Sequence, residues 1–247
     1  MTSSPSITHR PSAAADGPDH PPAKGEAAST RRLLACGAVA GPLFAAAVVV
    51  QALTRPGFSL TRDAASLLDL GSLGWVQVTN FIVTGLLFIA AAAGMRRSMP
   101  GGVGRRWIPR MLAVIGVGLI GGGVFHPDPS GGYPPGTPSG TGAVSSWHGM
   151  LHEVCGSAAF IALVVVCGML ARRYRASGQR GMAACSLAAG LLCAAGVASG
   201  GAPHGSLTLF AGVSIALLWA AVVSARLITS SFLTGGTPAT QMGGHHE

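Results

Sequence analysis

Six apolar runs separated by short polar connectors leave this chain few ways to fold: residues 33–53, 75–95, 108–125, 148–171, 182–199 and 207–228. A hydrocarbon core of about 30 Å is crossed by about 20 helical residues, with a usual range of about 17 to 25. All six runs fall in that range. None alternates apolar and polar side chains as a barrel strand does, and a segment in lipid must satisfy its own backbone groups, which leaves the helix. The predicted fold is therefore all-α, a six-helix transmembrane bundle. Charge content agrees: 10% of the 247 residues are charged, against about 25% in a soluble domain.

Arginine sets the expected orientation, because positively charged connectors stay in the cytoplasm. Arg31 and Arg32 precede the first run. Arg96, Arg97, Arg105 and Arg106 lie between the second and third, and Arg172, Arg173, Arg175 and Arg180 between the fourth and fifth. The third and fifth connectors carry no Lys or Arg, and the first has only Arg55 and Arg62. Both termini are thus expected in the cytoplasm, in the inner (plasma) membrane. Residues 1–30, rich in Pro, Ser, Ala and Gly, read as a disordered cytoplasmic tail, 31–229 as the membrane domain, and 230–247 as a second tail.

The formal charge of +8 does not point to nucleic acid, since the arginines punctuate membrane spans instead of lining one polar face. Membrane lipids are the expected partners. Five cysteines without CxxC spacing read as small buried apolar residues. The third and fifth runs, with GVGLIGGG and CSLAAGLLCAAGVASGG, are crowded with small residues that let backbones approach, so both are expected at the bundle centre. Trp75, Trp147 and Tyr133 read as interface anchors, with Trp107 doing that job at the other face.

The concentrated polar chemistry falls on the outward side. His126 and Asp128 come from the third connector, His148, His152 and Glu153 from the start of the fourth run, and His204 from the fifth connector; the first connector adds Asp63, Ser66 and Asp69. His148 and His152 stand four apart, a spacing that stacks two imidazoles on one helix face and serves two-histidine metal ligands. His126, Asp128 or His204 could complete a zinc site with an open position for water, and Glu153 or Asp69 could accept a proton. The plainer reading is a polar cluster tying loops to helix ends. At mid-bilayer the sequence offers few polar groups beyond Gln51, Asn80 and Ser214, which weighs against a solute or proton transporter. The third connector, HPDPSGGYPPGTPSGTGAVSSW, reads as a lid over the outer mouth.

FHPDPSGGYPPGTPSG and the following SSWHGMLHEVCGSAAF resemble the bacterial membrane family called domain of unknown function 998. The resemblance extends over about residues 33–229 and includes the Gly41-Pro42 pair, the PGF turn at 56–58 and the stretch SLLDLG at 66–71. It implies a multi-helix membrane protein with intact outer loops and carries over no reaction or ligand. His126 and Glu153 depart from the family pattern, where a small apolar residue and an aromatic are expected. The function expected from sequence is a noncatalytic structural, lipid-binding or interaction role. A zinc-dependent membrane hydrolase is the first alternative and a small-solute or proton transporter the second.

Overall fold

A computed structural model describes residues 24–99, 101–138, 145–200 and 202–235. Its helices are α1 (Lys24–Thr54), α2 (Gly74–Ser98), α3 (Trp107–Val124), α4 (Trp147–Ala176), α5 (Arg180–Ala198) and α6 (Gly205–Gly235), with a short 3-10 helix, Ala65–Asp69, between α1 and α2. All six long helices have the length and apolarity to cross a membrane, at mean hydropathies of 1.6 to 2.5. Among the described residues there is no strand beyond one bridge pair, Ser130 with Tyr133.

Each helix packs against its neighbours in the chain, and α6 returns to α1, so the six form a closed ring. The connectors 99–106, 177–179 and 199–204 are short enough to hold their antiparallel helices side by side, while across the longer 55–73 and 125–146 the pairing is made by helix contacts. Close approach between them depends on glycine. A Cβ on Gly85 of α2 would stand 2.5 Å from the Gly116 carbonyl of α3, and a Cβ on Gly116 would stand 2.5 Å from the Gly85 carbonyl. The two backbones meet there with nothing between them. Gly41 of α1 likewise abuts the Leu217 backbone where α6 closes the ring.

The expectation of a third and fifth helix at the bundle centre is not met, since each packs mainly against its two neighbours in the ring. Half of the α3 membrane window is buried, whereas only 28% of the α5 window is, with Leu187, Leu191 and Leu192 exposed. Helix α5 is peripheral. Its glycines contact single neighbours, Gly190 facing Cys167 of α4 and Gly196 facing Thr208 of α6. Small residues mark close approach, and close approach occurs at the rim of a ring as readily as at its middle.

The helix ends also differ from the sequence boundaries. Helix α1 begins at Lys24, inside the stretch assigned to the tail, because Glu26, Ala27 and Ala28 favour continuing a helix already nucleated by the span. Helix α6 runs past 229 to Gly235. All five cysteines are free.

Gly116 and Gly156 separate packing from helix propensity. An alanine at either position gains about 1 kcal/mol of propensity. At Gly116 the new methyl strikes backbone, while at Gly156 nothing lies within 4 Å of it. Gly116→Ala should therefore lose about 1–3 kcal/mol through overpacking, and Gly156→Ala should be neutral or stabilising. Thermal unfolding of the two variants in one detergent measures the difference.

Candidate functional site

At the end of the ring where α1 meets α2, α3 meets α4 and α5 meets α6, the first and third connectors fold onto each other. Tyr133, 3% exposed, sits edge-on to Phe58 with ring centroids 5.2 Å apart. Tyr133 is thus a buried pin between two loops and not the interface anchor expected of it. Its ring finds an apolar partner in Phe58 that the linear sequence could not place beside it. Trp75, Trp107 and Trp147 are all exposed. Within the first connector, Arg62 forks onto its neighbour Asp63, Nε donating to Oδ1 at 2.9 Å and NH2 to Oδ2 at 2.8 Å. The Ser59 amide donates to the same carboxylate, and Ser206 of α6 donates to the Arg62 carbonyl at 3.0 Å.

The start of α4 is built by side-chain capping. Ser146 is the N-cap, its hydroxyl accepting from the Gly149 amide at 3.0 Å. Asp128 accepts from the Ser146 amide at 2.8 Å, and Ser146 holds its carboxyl below the usual carboxylate range through side-chain and backbone hydrogen bonding. A carboxylate at this position also faces the positive end of the α4 dipole. Gly149 leaves room for this carboxylate, since a Cβ there would push the Asp128 side chain out of the cap.

The five candidate ligands occupy different surroundings. Asp128 is engaged in the cap. His148 is exposed and stacks on Trp147, ring centroids 3.5 Å apart. His126 is exposed just beyond the end of α3. His204 is exposed at a corner with φ of 62°, its carbonyl accepting from the first amides of α6. His152 alone among them is buried, at 6% exposure. Its Nδ1 lies 2.8 Å from the Phe125 carbonyl and 3.0 Å from that of Gly122. Carbonyl oxygens only accept, so Nδ1 carries the hydrogen and Nε2 of the neutral ring keeps its lone pair. Among the described residues, no group of three or more His, Cys, Asp or Glu side chains is arranged to hold a metal ion.

His152 instead borders a chamber of about 140 Å3 inside the ring. Its deeper walls are apolar: Phe44, Phe81, Leu119, Phe160, Phe210 and Val213. Gly122 and Gly156 supply space where side chains would stand, while Gly118 lets the α4 backbone approach α3. Toward the connectors the lining turns polar, with Ser66, His152, Glu153 and Ser206. Val213 lies seven positions beyond Ser206, and Ala159 seven beyond His152, which carries the chamber about 10 Å into the bilayer. None of the described residues of the third connector lines it, and Tyr133 packs on Phe58 of the first connector; residues 139–144 of the expected lid lie outside the described residues.

A second feature runs beside the chamber. Arg55, 8% exposed, donates to the Gln51 side-chain oxygen at 2.9 Å, to the Leu70 carbonyl at 3.3 Å, and to that of Leu73. Gln51 in turn donates to Gln77 at 2.7 Å; Asn80 donates to the same Gln77 oxygen at 3.3 Å, and Thr84 to Asn80. This chain of side chains descends from the connector into the membrane. Among the described residues, both oxygens of buried Asp69 and the Gln77 amide nitrogen find no hydrogen-bond partner. Burial pushes the Asp69 carboxyl up to about 8, against the opposing pull of the Arg55 charge. Gln77 and Arg55 escaped sequence reasoning. The signal was there: Gln77, Asn80 and Thr84 fall at i, i+3 and i+7, a polar stripe on one face of an otherwise apolar helix.

Ring, chamber and buried amide chain together define a polytopic α-helical membrane protein with an amphipathic cavity at one end. A model of the family described as protein of unknown function (DUF998) matches residues 38–229. The chain belongs to that family. No curated protein and no solved structure matches it.

Proposed function

We propose that this protein is a noncatalytic binder of membrane amphiphiles, holding an acyl-type chain in the chamber with its polar end beside Ser66, His152, Glu153 and Ser206. The observation that carries this reading is the graded lining of the cavity. An apolar floor accepts a hydrocarbon chain with little gain or cost relative to the bilayer interior, so packing shape holds the chain, and the few polar groups at the mouth would orient the head. The arginine distribution supports placing the chamber mouth on the non-cytoplasmic side of a plasma membrane, where it would meet outer-leaflet lipid.

Capping and stacking leave Asp128 and His148 with evident structural work, and this favours binding over hydrolysis as the role of the His152 face. Filling the chamber tests the reading. Gly156→Leu places its side chain where a Cβ meets nothing within 4 Å. In nanodiscs containing a photoactivatable fatty acid, wild-type protein should be labelled at chamber residues, and the variant about tenfold less, with an unchanged melting temperature. Equal labelling of both proteins, or labelling confined to the exposed faces of α5, would refute an occupied chamber.

A further inference from the structure

The opposite, arginine-rich end holds a larger cavity, of about 790 Å3, between the 101–103 connector and the ends of α4 and α6. Leu170 and Val223, each 1% exposed, and Met99 close its floor. Arg173, Tyr174 and Arg226 stand on its walls with Ser177, Thr229 and Ser230. Among the described residues, no Asp or Glu lines it. The Arg173 guanidinium is held in place, donating to the Gly101 carbonyl at 3.3 Å and the Val103 carbonyl at 3.0 Å. Among the described residues, the Arg226 guanidinium donates no hydrogen bond and meets no carboxylate, and the Tyr174 hydroxyl has no hydrogen-bond partner.

We infer that this cavity is a binding site for a phosphate-type anion, either a free phosphate or the headgroup of an anionic phospholipid. Two guanidinium groups converging on an acid-free space match the planar, multiply accepting oxygens of a phosphate. The Tyr174 hydroxyl adds a neutral donor at the same wall, whereas the Thr229 and Ser230 hydroxyls donate to the Arg226 and Leu227 carbonyls of their own helix. The apolar floor belongs to the spans of α4 and α6 themselves, so a lipid headgroup seated here keeps its chains beside those helices. Diffuse attraction of the whole arginine-rich face to acidic membranes is a separate effect, shared by every arginine there.

The test compares Arg226→Gln with Arg180→Gln, since Arg180 carries the same charge near the same end but does not line the cavity. Full-length protein is titrated in detergent with inorganic phosphate, and separately reconstituted in phosphatidylcholine nanodiscs with increasing phosphatidylglycerol. Binding is read by thermal stabilisation and by native mass spectrometry of retained lipid. Arg226→Gln should weaken binding about fivefold, Arg226→Lys should restore part of it, and Arg180→Gln should leave it near wild type. Binding of phosphate alone identifies a free anion, and binding of phosphatidylglycerol alone identifies a headgroup; either upholds the site. Equal losses in Arg226→Gln and Arg180→Gln, or no response of the wild type to either probe, would overturn it. The outer chamber takes no part, so an empty chamber would leave this result intact.

Discussion

Replacing Arg55 with methionine should cost the fold roughly 4 kcal/mol, the largest single-residue loss expected in this protein. The estimate follows from what the guanidinium satisfies: the Leu70 and Leu73 carbonyls and the Gln51 side-chain oxygen, all partly or wholly withdrawn from water. A buried acceptor left without its donor costs about 1–3 kcal/mol, and three are stranded together. The Gln51–Gln77–Asn80 chain then loses its charged end. Methionine preserves most of the apolar stem, so the loss reports hydrogen bonding and charge more than volume. Denaturant or thermal unfolding in a fixed detergent measures it. An Arg55→Met protein as stable as wild type would mean that other donors replace the guanidinium.

The second large effect is a dependence on pH that Asp69 imposes. Its carboxyl is pushed up to about 8 by burial, while in an unfolded chain it would titrate near about 3.9. Between those values the folded protein holds a proton that the unfolded chain has released. Stability is therefore fully present below the unfolded value, falls as pH rises through the window, and levels off above about 8, with a slope approaching about 1.4 kcal/mol per pH unit. Wild-type protein should lose melting temperature from pH 5 to pH 8, and Asp69→Asn should lose much less. The comparison of the two proteins isolates Asp69 from every other titrating group. Asp128 does not intrude, since its carboxyl is held below the usual range and titrates in more acidic solution. Parallel pH profiles for wild type and Asp69→Asn would rule out a buried neutral carboxyl. In Arg55→Met the opposing charge is gone, so the fall should extend to higher pH.

Arg55 and Asp69 also mark the border of what was readable in the linear chain. The spans were legible because hydrophobic length is a local property, and 33–53 reappears within α1 as 75–95 does within α2. His152 was singled out by its spacing from His148, and Ser66 and Glu153 by the polar end they share; all three border the chamber. The pairing of His152 with His148 as common ligands was read from one helix in isolation. The carbonyls of Gly122 and Phe125, which hold His152, come from α3, and Trp147 takes His148. Tyr133 was assigned to the interface because tyrosine often lies there, whereas its place was decided by Phe58, a residue 75 positions away.

Sequence by itself determined the number of helices and the concentration of most arginines at one end, with Arg55 and Arg62 alone among the connector arginines at the histidine end, because transfer into lipid depends on each segment's own composition. It did not determine that the helices close into a ring, that α5 stays at the rim, or that glycines on α3 and α4 leave a chamber between six aromatic and aliphatic walls. Those are matters of which small residue faces which backbone. Such contacts join positions far apart in the chain, and their energy exists only once the helices have met.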